Sequence, residues 1–458
     1  MTTLLIACSS VSSAPNSLET TSSVVQSKTE QQSAIWQGNN VTIWNQLQRV
    51  SSSRLAVMQT TTSDPTQTGW IQLALMSKRY STNTQQLARE LLAFREQYPS
   101  HPGNQLIPNN TTLNNLLNSQ PPKHIALLLP LQGTYGSSGQ AVRDGFLSAY
   151  YNNLPKIGKQ GISFYDTAQT NDIYALYQQA IAEGADFIIG PLTKENVQQL
   201  IKSGSFSYPT LALNYTETGF GGLPSNLYEF GLLPEDEATQ LAERAKQAGL
   251  SHALVIAPES PWGNRLVAAF STAWQHQGGT IQETWYYTPR TDYNQGIAQL
   301  LKINLTNDQQ LSREGNDRST LEQQRRQDFD VIFLFAQPKQ GRIIVPLLRY
   351  YYVTNTPIYA TSAIYAGTPN PTKDVDLNGV TVCDIPKNLQ IARGDTSNPQ
   401  ADRLYAVGQD AYLLSQTLTG MTTLPNFPVY GKTGALTLAS SDQIHRRLPC
   451  ATIQNGRL

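Results

Sequence analysis

Apolar and polar positions alternate along most of this chain in a way that predicts strands and helices in turn. Residues 125–131 form an apolar run, which predicts a strand buried on both faces. A glycine-rich stretch at 133–139 follows, and apolar residues then recur at helical spacing from residue 142 to residue 149. A strand, a glycine loop and a helix N-terminus in this order are how α/β domains present backbone N–H groups to a ligand.

The alternation continues to residue 438 and predicts an α/β fold of parallel, doubly wound sheets. Further strands are expected at 162–165, 187–190, 210–213, 253–257, 281–287 and 331–335, and further helices at 172–183, 193–201, 234–249, 264–276, 341–350 and 405–418. Residues 429–438 are expected to form a short strand or hairpin around Gly431 and Gly434. Residues 304–326 are polar and charged, which predicts a mobile surface insertion.

Residues 31–118 carry a different pattern, with apolar residues at helical spacing. Their three amphipathic stretches contain tryptophans, small residues and a closing proline, a combination that resembles tetratricopeptide-like (TPR-like) repeats. Such helix pairs stack because one pair cannot bury its own apolar face. Residues 109–123 are rich in Asn, Thr and Pro, and this composition predicts a linker to the α/β region.

Composition narrows the classes of function. A chain of 458 residues exceeds one ordinary domain, so two or three compact units are expected. Lys and Arg total 33 and so do Asp and Glu, so charge favours neither nucleic acid nor an anionic membrane surface as a partner. No apolar run reaches the roughly 18 residues that a membrane-spanning helix needs.

No motif for catalysis or for metal binding emerges from the sequence. The five histidines have no Cys, His or carboxylate at metal-ligand spacing. Gly431, Lys432 and Thr433 mimic the end of a phosphate-binding loop, but Asn426 stands where that motif requires its first glycine. We therefore expect no catalytic residue, no metal and no cofactor.

The N-terminus contains a sequence like a bacterial lipobox. Residues 4–8 are Leu-Leu-Ile-Ala-Cys, which makes Cys8 the expected lipid-attachment residue. Only seven residues precede Cys8 and none is basic, whereas a working signal peptide needs a basic segment and a longer apolar run. Either the true start lies upstream or the match is chance. Ser9 in place of an aspartate points to the outer membrane, and residues 9–28 have the Ser/Thr-rich composition of a flexible tether.

The chain has two further cysteines, Cys383 and Cys450. If Cys8 carries lipid, the other two lie in an oxidising compartment, where a disulfide bond between them would persist. Two unpaired buried thiols are an equally compatible arrangement.

Three parts of the chain resemble a known family. They are residues 124–151, residues 325–330 (RRQDFD) directly before the strand expected at 331–335, and residues 403–412 (RLYAVGQDAY) with 431–436 (GKTGAL). The first part resembles the opening of a type I periplasmic-binding-protein fold. Together the three resemble, more narrowly, the LpoA family of outer-membrane lipoproteins that activate class A penicillin-binding proteins.

The resemblance implies a two-lobed, type I periplasmic-binding-protein-like α/β domain preceded by a short all-α TPR-like segment. On this basis residues 1–30 are a lipoprotein signal remnant and tether, residues 31–118 the helical segment, and residues 123–450 the two-lobed domain. Lobe 1 is expected at about 123–232 and 357–420. Lobe 2 is expected at about 233–356 and 421–450.

The resemblance also implies a function. The chain is expected to be a non-enzymatic regulator that binds and activates a bifunctional class A penicillin-binding protein in peptidoglycan synthesis. It is expected in the periplasm, anchored to the inner face of the outer membrane through the lipid on Cys8. The alternative is a periplasmic solute-binding protein for an amino acid or a small peptide, and the sequence does not decide whether a small ligand is bound.

A ligand in the cleft between the lobes would meet a small set of candidate residues. Ser137, Ser138 and Gly139 open the first helix of the α/β region, and Asp166 ends the second strand at the same sheet edge. Trp262 follows a second-lobe strand and could stack against a ligand. Each has an ordinary structural alternative, because the serines and Asp166 could cap helices and Trp262 could be a packing residue.

Three consecutive tyrosines, Tyr350, Tyr351 and Tyr352, are the candidate contact with a partner protein. Successive helical positions cannot all face inward, so at least one of the three should be partly exposed. An amphipathic tyrosine at a surface is also an ordinary feature of proteins that contact no partner there.

Overall fold

The computed structural model describes residues 35–216, 222–303, 325–366, 370–389 and 399–458. The expected tether with Cys8 lies outside these residues, as does most of the expected surface insertion at 304–326. The chain divides into two compact units, Met1–Tyr80 with Gln86–Asn114 and Ser81–Gln85 with Asn115–Leu458. Among the described residues, no helix is both long and apolar enough to cross a membrane.

Residues 40–117 are helical, as the pattern of apolar residues predicts. The helices are α1 (Asn40–Arg49), α2 (Ser52–Thr61), α3 (Pro65–Arg79), α4 (Thr84–Gln97) and α5 (Asn110–Leu117), with a 3₁₀ turn at Pro102–Leu106. Side chains of Asn39, Ser51 and Asp64 cap the first three by accepting backbone N–H groups. Trp44 and Trp70 are buried between α1 and α3 with ring centroids 6.4 Å apart, so the tryptophans form the core of this helical unit.

The described part of the second unit alternates strands and helices. Its strands are β1 (His124–Leu129), β2 (Gly161–Asp166), β3 (Phe187–Ile189), β4 (Thr210–Ala212), β5 (Leu227–Phe230), β6 (His252–Pro258), β7 (Thr280–Tyr287), β8 (Val331–Leu334), β9 (Ile358–Ala360), β10 (Val380–Cys383), β11 (Val429–Tyr430), β12 (Ala435–Leu438), β13 (Gln443–Arg447) and β14 (Cys450–Thr452). Its helices are α6 (Gly136–Ile157), α7 (Ile173–Ala182), α8 (Lys194–Ser203), α9 (Pro234–Gln247), α10 (Pro261–His276), α11 (Tyr293–Leu300), α12 (Pro338–Tyr350), α13 (Pro371–Asp374) and α14 (Pro399–Thr423).

These strands form two sheets. The first has eight strands in the order β11-β12-β13-β5-β4-β3-β1-β2, and the second has six in the order β14-β10-β9-β8-β6-β7. Pairing is parallel from β2 to β13 in the first sheet and from β7 to β10 in the second, with antiparallel strands only at one end of each. This confirms the predicted α/β fold of parallel, doubly wound sheets.

Each sheet is covered on both faces. In β1, Ile125, Leu127 and Leu129 enter one buried cluster, whereas Ala126 and Leu128 enter the cluster on the other face. The same division occurs along β6, whose alternate residues belong to two different clusters of the second sheet. Because side chains alternate between faces, a strand buried on both sides must be apolar throughout, which is why residues 125–131 stand out in the sequence.

The expected boundaries of the two lobes were wrong for the last third of the chain. Strands β9 and β10, expected in lobe 1, pair with β8 in the second sheet. Strands β11 to β13, expected in lobe 2, extend the first sheet, where Ile444 of β13 pairs with Phe230 of β5. Helix α14 follows β10 and returns the chain to the first sheet. Apolar periodicity identifies a strand but does not say which sheet it joins, so the crossover could not be placed.

Two close contacts fix α6 against α14. An added Cβ at Gly145 would lie 1.9 Å from the carbonyl oxygen of Tyr405, and one at Gly408 would lie 1.9 Å from that of Val142. Two helix backbones approach this closely only where neither carries a side chain. The long N-terminal helix of the first sheet and the long C-terminal helix of the unit therefore pack through reciprocal glycines.

Cys383 and Cys450 are joined by a disulfide bond. They face each other across the antiparallel pair of β10 and β14, and Cys383 is fully buried. The bond fastens the last strand of the chain to the edge of the second sheet, across 67 residues of sequence.

Candidate functional site

The serines expected in the cleft do not cap the first helix of the sheet. Tyr135 occupies the N-cap position of α6, and no side chain accepts a hydrogen bond there. Ser137 is exposed and Ser138 is half-buried. Gly139 is buried, and a Cβ there would lie 1.9 Å from the carbonyl oxygen of Pro130. The glycine therefore lets α6 approach the end of β1, and the helix-cap alternative for the serines was wrong.

Asp166 is held by hydrogen bonds within the protein. Its Oδ1 accepts from the backbone N–H groups of Leu131 at 2.8 Å and Ala168 at 3.0 Å, and its Oδ2 accepts from Gln169 Nε2 at 3.1 Å. Burial alone would raise the pKa of Asp166, but these hydrogen bonds outweigh it and hold that pKa below its usual value. The carboxylate thus caps a 3₁₀ turn at Thr167–Gln169 and ties it to the loop after β1.

Trp262 lies in the first turn of α10, whose N-cap is Ser260. The indole is half-buried and packs against the apolar cluster that α9 and α10 form over the second sheet. The position of Trp262 therefore agrees with the alternative that it is a packing residue. A role in stacking against a ligand has no support from its surroundings.

The three tyrosines at the C-terminal end of α12 have different environments. Tyr351 is buried and its hydroxyl donates to Asn294 Oδ1 at 2.7 Å, whereas Tyr350 is 62% exposed. Tyr352 has a φ of 60° and ends the turn. Ile343 and Val375 are also exposed large apolar side chains, and α12 packs against the 3₁₀ turn that begins at Val375. Tyr350 is therefore the most exposed of the three, and Tyr352 is half-buried.

A buried network of charged side chains joins elements of the two sheets. Glu237 in the first turn of α9 accepts from Ser362, through its N–H at 2.8 Å and its hydroxyl at 3.0 Å. Arg446 of β13 lies 3.7 Å from the same carboxylate. Arg403 near the start of α14 forms a bidentate pair with Asp384, which follows β10, at 3.0 and 2.5 Å.

These groups belong to both sheets, and almost all of them are buried. Arg446 lies on a strand of the first sheet, Glu237 lies on α9, which packs over the second sheet, and Asp384 directly follows β10 of the second sheet. Burial raises the pKa of Glu237 against the lowering effect of Arg446. For Arg403, burial alone would lower the pKa, but the Asp384 carboxylate outweighs it and raises that pKa. Removing either partner of such a pair leaves an uncompensated buried charge, so the network holds the two sheets in one arrangement.

A second ion pair reinforces the same junction. His445 Nδ1 and Asp236 Oδ1 are 2.8 Å apart, and the hydrogen bond to Asp236 raises the pKa of His445 although burial opposes it. Sequence reasoning missed this junction because its members are spread over 210 positions. One available signal was the acidic run at 235–237 together with the basic run at 445–447.

The buried carboxylates of this unit make structural contacts. In the part of the chain that the structure describes, no group of three His, Cys, Asp or Glu side chains is placed to hold a metal ion. The most deeply buried carboxylates are committed to arginines and backbone N–H groups. Asp410, for example, accepts from the N–H groups of Lys432 and Thr433.

Comparison with known proteins relates this chain to a family of lipoproteins. The family model described as "LppC putative lipoprotein" matches residues 6–456. The penicillin-binding protein activator LpoA of Photobacterium profundum is 28% identical over 438 residues, which are 92% of this chain and 70% of that relative. The similarity thus extends across both the helical segment and the α/β unit.

Two solved structures resemble the α/β unit. The LpoA (YraM) C-domain from Haemophilus influenzae, a regulator of PBP1A, superimposes with a TM-score of 0.60 at 25% identity, covering 73% of this chain and 98% of that one. A "putative branched-chain amino acid ABC transporter" from Chromobacterium violaceum gives a TM-score of 0.55 at 24% identity, covering 72% of this chain and 99% of that one. The second likeness concerns the fold alone, and it agrees with the predicted periplasmic-binding-protein-like architecture.

Proposed function

This chain belongs to the LppC lipoprotein family, and from that premise we propose that it is a non-enzymatic regulator of peptidoglycan synthesis. It binds a bifunctional class A penicillin-binding protein and activates it. The observation that carries the proposal is the similarity to a penicillin-binding protein activator along 92% of the chain.

Activation by a bound regulator is a coupling of two equilibria. The regulator must bind the active conformation of the synthase more tightly than the inactive one, and the difference in affinity limits the activation. The surface of the regulator that binds the synthase must be rigid to favour one conformation of the synthase over the other. The buried pairs Glu237–Arg446 and Asp384–Arg403 serve this purpose by holding the two sheets together.

The contact surface that we propose is the apolar patch around α12, defined as Ile343, Tyr350 and Val375. Exposed apolar patches mark interaction sites in soluble proteins, and tyrosines are enriched among the residues that dominate binding energy. The patch lies in the second-sheet half of the α/β unit.

We place the protein in the periplasm, anchored to the inner face of the outer membrane through a lipid on Cys8, with the helical segment as a spacer. Membership of a lipoprotein family supports an anchor of this kind. The Cys383–Cys450 disulfide bond suits the same location because disulfide bonds persist in oxidising compartments such as the periplasm.

The solute-binding alternative has less support. Asp166 is the charged member of the expected cleft site. Its carboxylate oxygens accept hydrogen bonds from Leu131, Ala168 and Gln169. A ligand at that carboxylate would have to displace hydrogen bonds that already hold two loops.

Binding between the full, lipid-free chain and its cognate class A synthase tests the proposal. We expect saturable binding at micromolar concentrations, and Tyr350→Ala should weaken it about tenfold, the loss typical of an interface residue that dominates binding. The matched control is Tyr151→Ala, because Tyr151 on α6 is also 62% exposed and lies in the first-sheet half. Absence of binding at micromolar concentrations contradicts the proposed function, and equal effects of the two substitutions contradict the proposed surface.

A further inference from the structure

A cavity on the first-sheet half of the α/β unit has a lining that neither the fold nor the proposed function explains. It encloses about 930 Å³ and is bordered by α6, α14, the segments at 82–85 and 119–123 and the loop at 430–432. We refer to it as the α6–α14 cavity. Its volume falls within the range of small-molecule binding sites in proteins.

Side-chain amides and hydroxyls dominate this lining, and α14 supplies one continuous strip of it. Gln409, Leu413, Gln416 and Gly420 are spaced four, three and four residues apart, so they share one face of the helix. Among the described residues, the half-buried amide of Gln409 has no hydrogen-bond partner. It is therefore a donor and acceptor that a ligand would find unoccupied.

Hydrogen bonds beside the cavity connect α14 with α6 and, through Gln160, with the segment at 119–123. Asn153 Nδ2 donates to the hydroxyl of Tyr412 at 3.2 Å, and that hydroxyl donates to Gln160 Oε1 at 3.4 Å. Gln160 Nε2 donates in turn to the carbonyl oxygen of Pro122 at 2.5 Å. The amide of Asn152, one residue earlier on α6, is exposed in the cavity and, within the described residues, makes no hydrogen bond of its own.

The charges of the lining narrow the class of ligand. The carboxylate of Asp186 accepts the N–H groups of Lys123 and His124, each at 2.9 Å, and Asp410 accepts those of Lys432 and Thr433. Both carboxylates are thus committed to the protein. The cavity offers amides, hydroxyls and the ring of Tyr430. Among the described residues that line it, Lys123 and Lys432 are the only cations, which are too few for a polyphosphate.

We propose that the α6–α14 cavity binds an oligosaccharide. Each sugar hydroxyl can both donate and accept a hydrogen bond. A side-chain amide can pair with it in either role, because it carries an N–H donor and a carbonyl acceptor. The half-buried ring of Tyr430 lines the same cavity and supplies an apolar face against which sugar C–H groups can pack. The choice of an N-acetylated amino sugar as the probe rests on the proposed function, because that is the glycan a peptidoglycan regulator would meet.

Calorimetric titration of the full chain with chitotetraose, a soluble oligomer of N-acetylglucosamine, tests the inference. We expect saturable binding with a Kd of about 1 mM or tighter. Gln409→Ala and Asn152→Ala should each weaken it about threefold to tenfold, the loss expected for one neutral hydrogen bond. Gln299→Ala, which alters an exposed helical glutamine on α11 in the second-sheet half, is the matched control and should leave binding unchanged.

The result is independent of the synthase, so failure of this inference and failure of the proposed function can be told apart. Absence of saturable binding up to about 10 mM chitotetraose overturns the inference. So does binding that neither Gln409→Ala nor Asn152→Ala weakens, because the sugar would then sit elsewhere. Tighter binding by a sugar-free stem peptide that Gln409→Ala weakens assigns the cavity to peptides and overturns it as well.

Discussion

At the scale of single residues, the segment RRQDFD acquires a structural role. Arg326 has only 4% of its side chain exposed and pairs with both oxygens of Asp328, at 2.7 and 2.8 Å. Its guanidinium also donates to Glu283 on β7 and to the carbonyl oxygen of Leu300 at the end of α11. Arg326 therefore ties the start of β8 to a neighbouring strand and helix, which explains why an arginine is buried there.

This pair predicts a particular dependence of stability on pH. The hydrogen bonds from Arg326 lower the pKa of Asp328 to about 2, below the value of about 3.9 expected in the unfolded chain. The contribution of Asp328 to stability is therefore fully present above pH 4 and is lost as the pH falls through about 2. Asp328 is 46% exposed, so solvent screening limits the contribution to about 1 kcal/mol or less.

The predicted pH dependence can be checked by urea unfolding of the parent chain and of Asp328→Asn, measured side by side between about pH 7 and pH 3. The difference in the free energy of unfolding should be largest near neutral pH and should shrink as the pH falls below 4. Other carboxylates titrate alike in both proteins and cancel in the difference. A difference that stays constant over the whole range would mean that Asp328 is not stabilised by its charge.

The residues expected in the cleft show what the sequence predicts about a single position and what it does not. Gly139 and Asp166 lie where the strand–loop–helix pattern places them, in the first turn of α6 and at the end of β2. Gly139 lies against the carbonyl oxygen of Pro130 and Asp166 accepts the N–H of Leu131, and the pattern contains neither contact. Sequence spacing therefore predicted the position of these residues but not what they contact.

At the scale of elements, the close crossing of α6 and α14 predicts that two glycines, Gly145 and Gly408, cannot be replaced without loss of stability. Alanine is the better helix former by about 1 kcal/mol, so an unconstrained glycine in a helix should gain stability on substitution. Gly145→Ala and Gly408→Ala should instead lower the free energy of unfolding by about 1–3 kcal/mol, because each new Cβ would overlap a backbone carbonyl oxygen.

Gly136→Ala on the same helix α6 is the control. A Cβ there would come no closer than 3.3 Å to the carbonyl oxygen of Leu131, so we expect a much smaller change. Chemical denaturation of the three variants provides the comparison. If Gly145→Ala and Gly408→Ala proved as stable as the parent chain, the close helix crossing would be wrong.

The elements themselves were largely predictable, whereas their partners were not. Runs such as residues 253–257 and 331–335 are apolar enough to identify buried strands, and β6 and β8 occupy them. The sheet that a strand joins depends on pairings between distant residues, such as Gln443 with Glu229. Nothing in the local pattern of β9 to β13 encodes those pairings, so the lobe boundaries after residue 356 were misplaced.

At the scale of the whole molecule, the α/β unit resembles solute-binding proteins in fold, and buried ion pairs join its two halves. The Glu237–Arg446 and Asp384–Arg403 pairs and the His445–Asp236 pair all bridge or flank the junction of the sheets. A solute-binding protein works by closing around its ligand, a motion that needs an adaptable junction. Buried pairs of this kind resist such motion, which favours a scaffold that presents surfaces to a partner.

The central claim is that this protein activates a peptidoglycan synthase, and the most direct test is the cross-linking reaction itself. Peptidoglycan synthesis by the cognate class A penicillin-binding protein should be measured with and without an excess of the full, lipid-free chain. We predict a clear rise in the cross-linked fraction, and a smaller rise with Tyr350→Ala than with Tyr151→Ala. An unchanged cross-linked fraction, with the synthase active and the chain folded, would contradict the account.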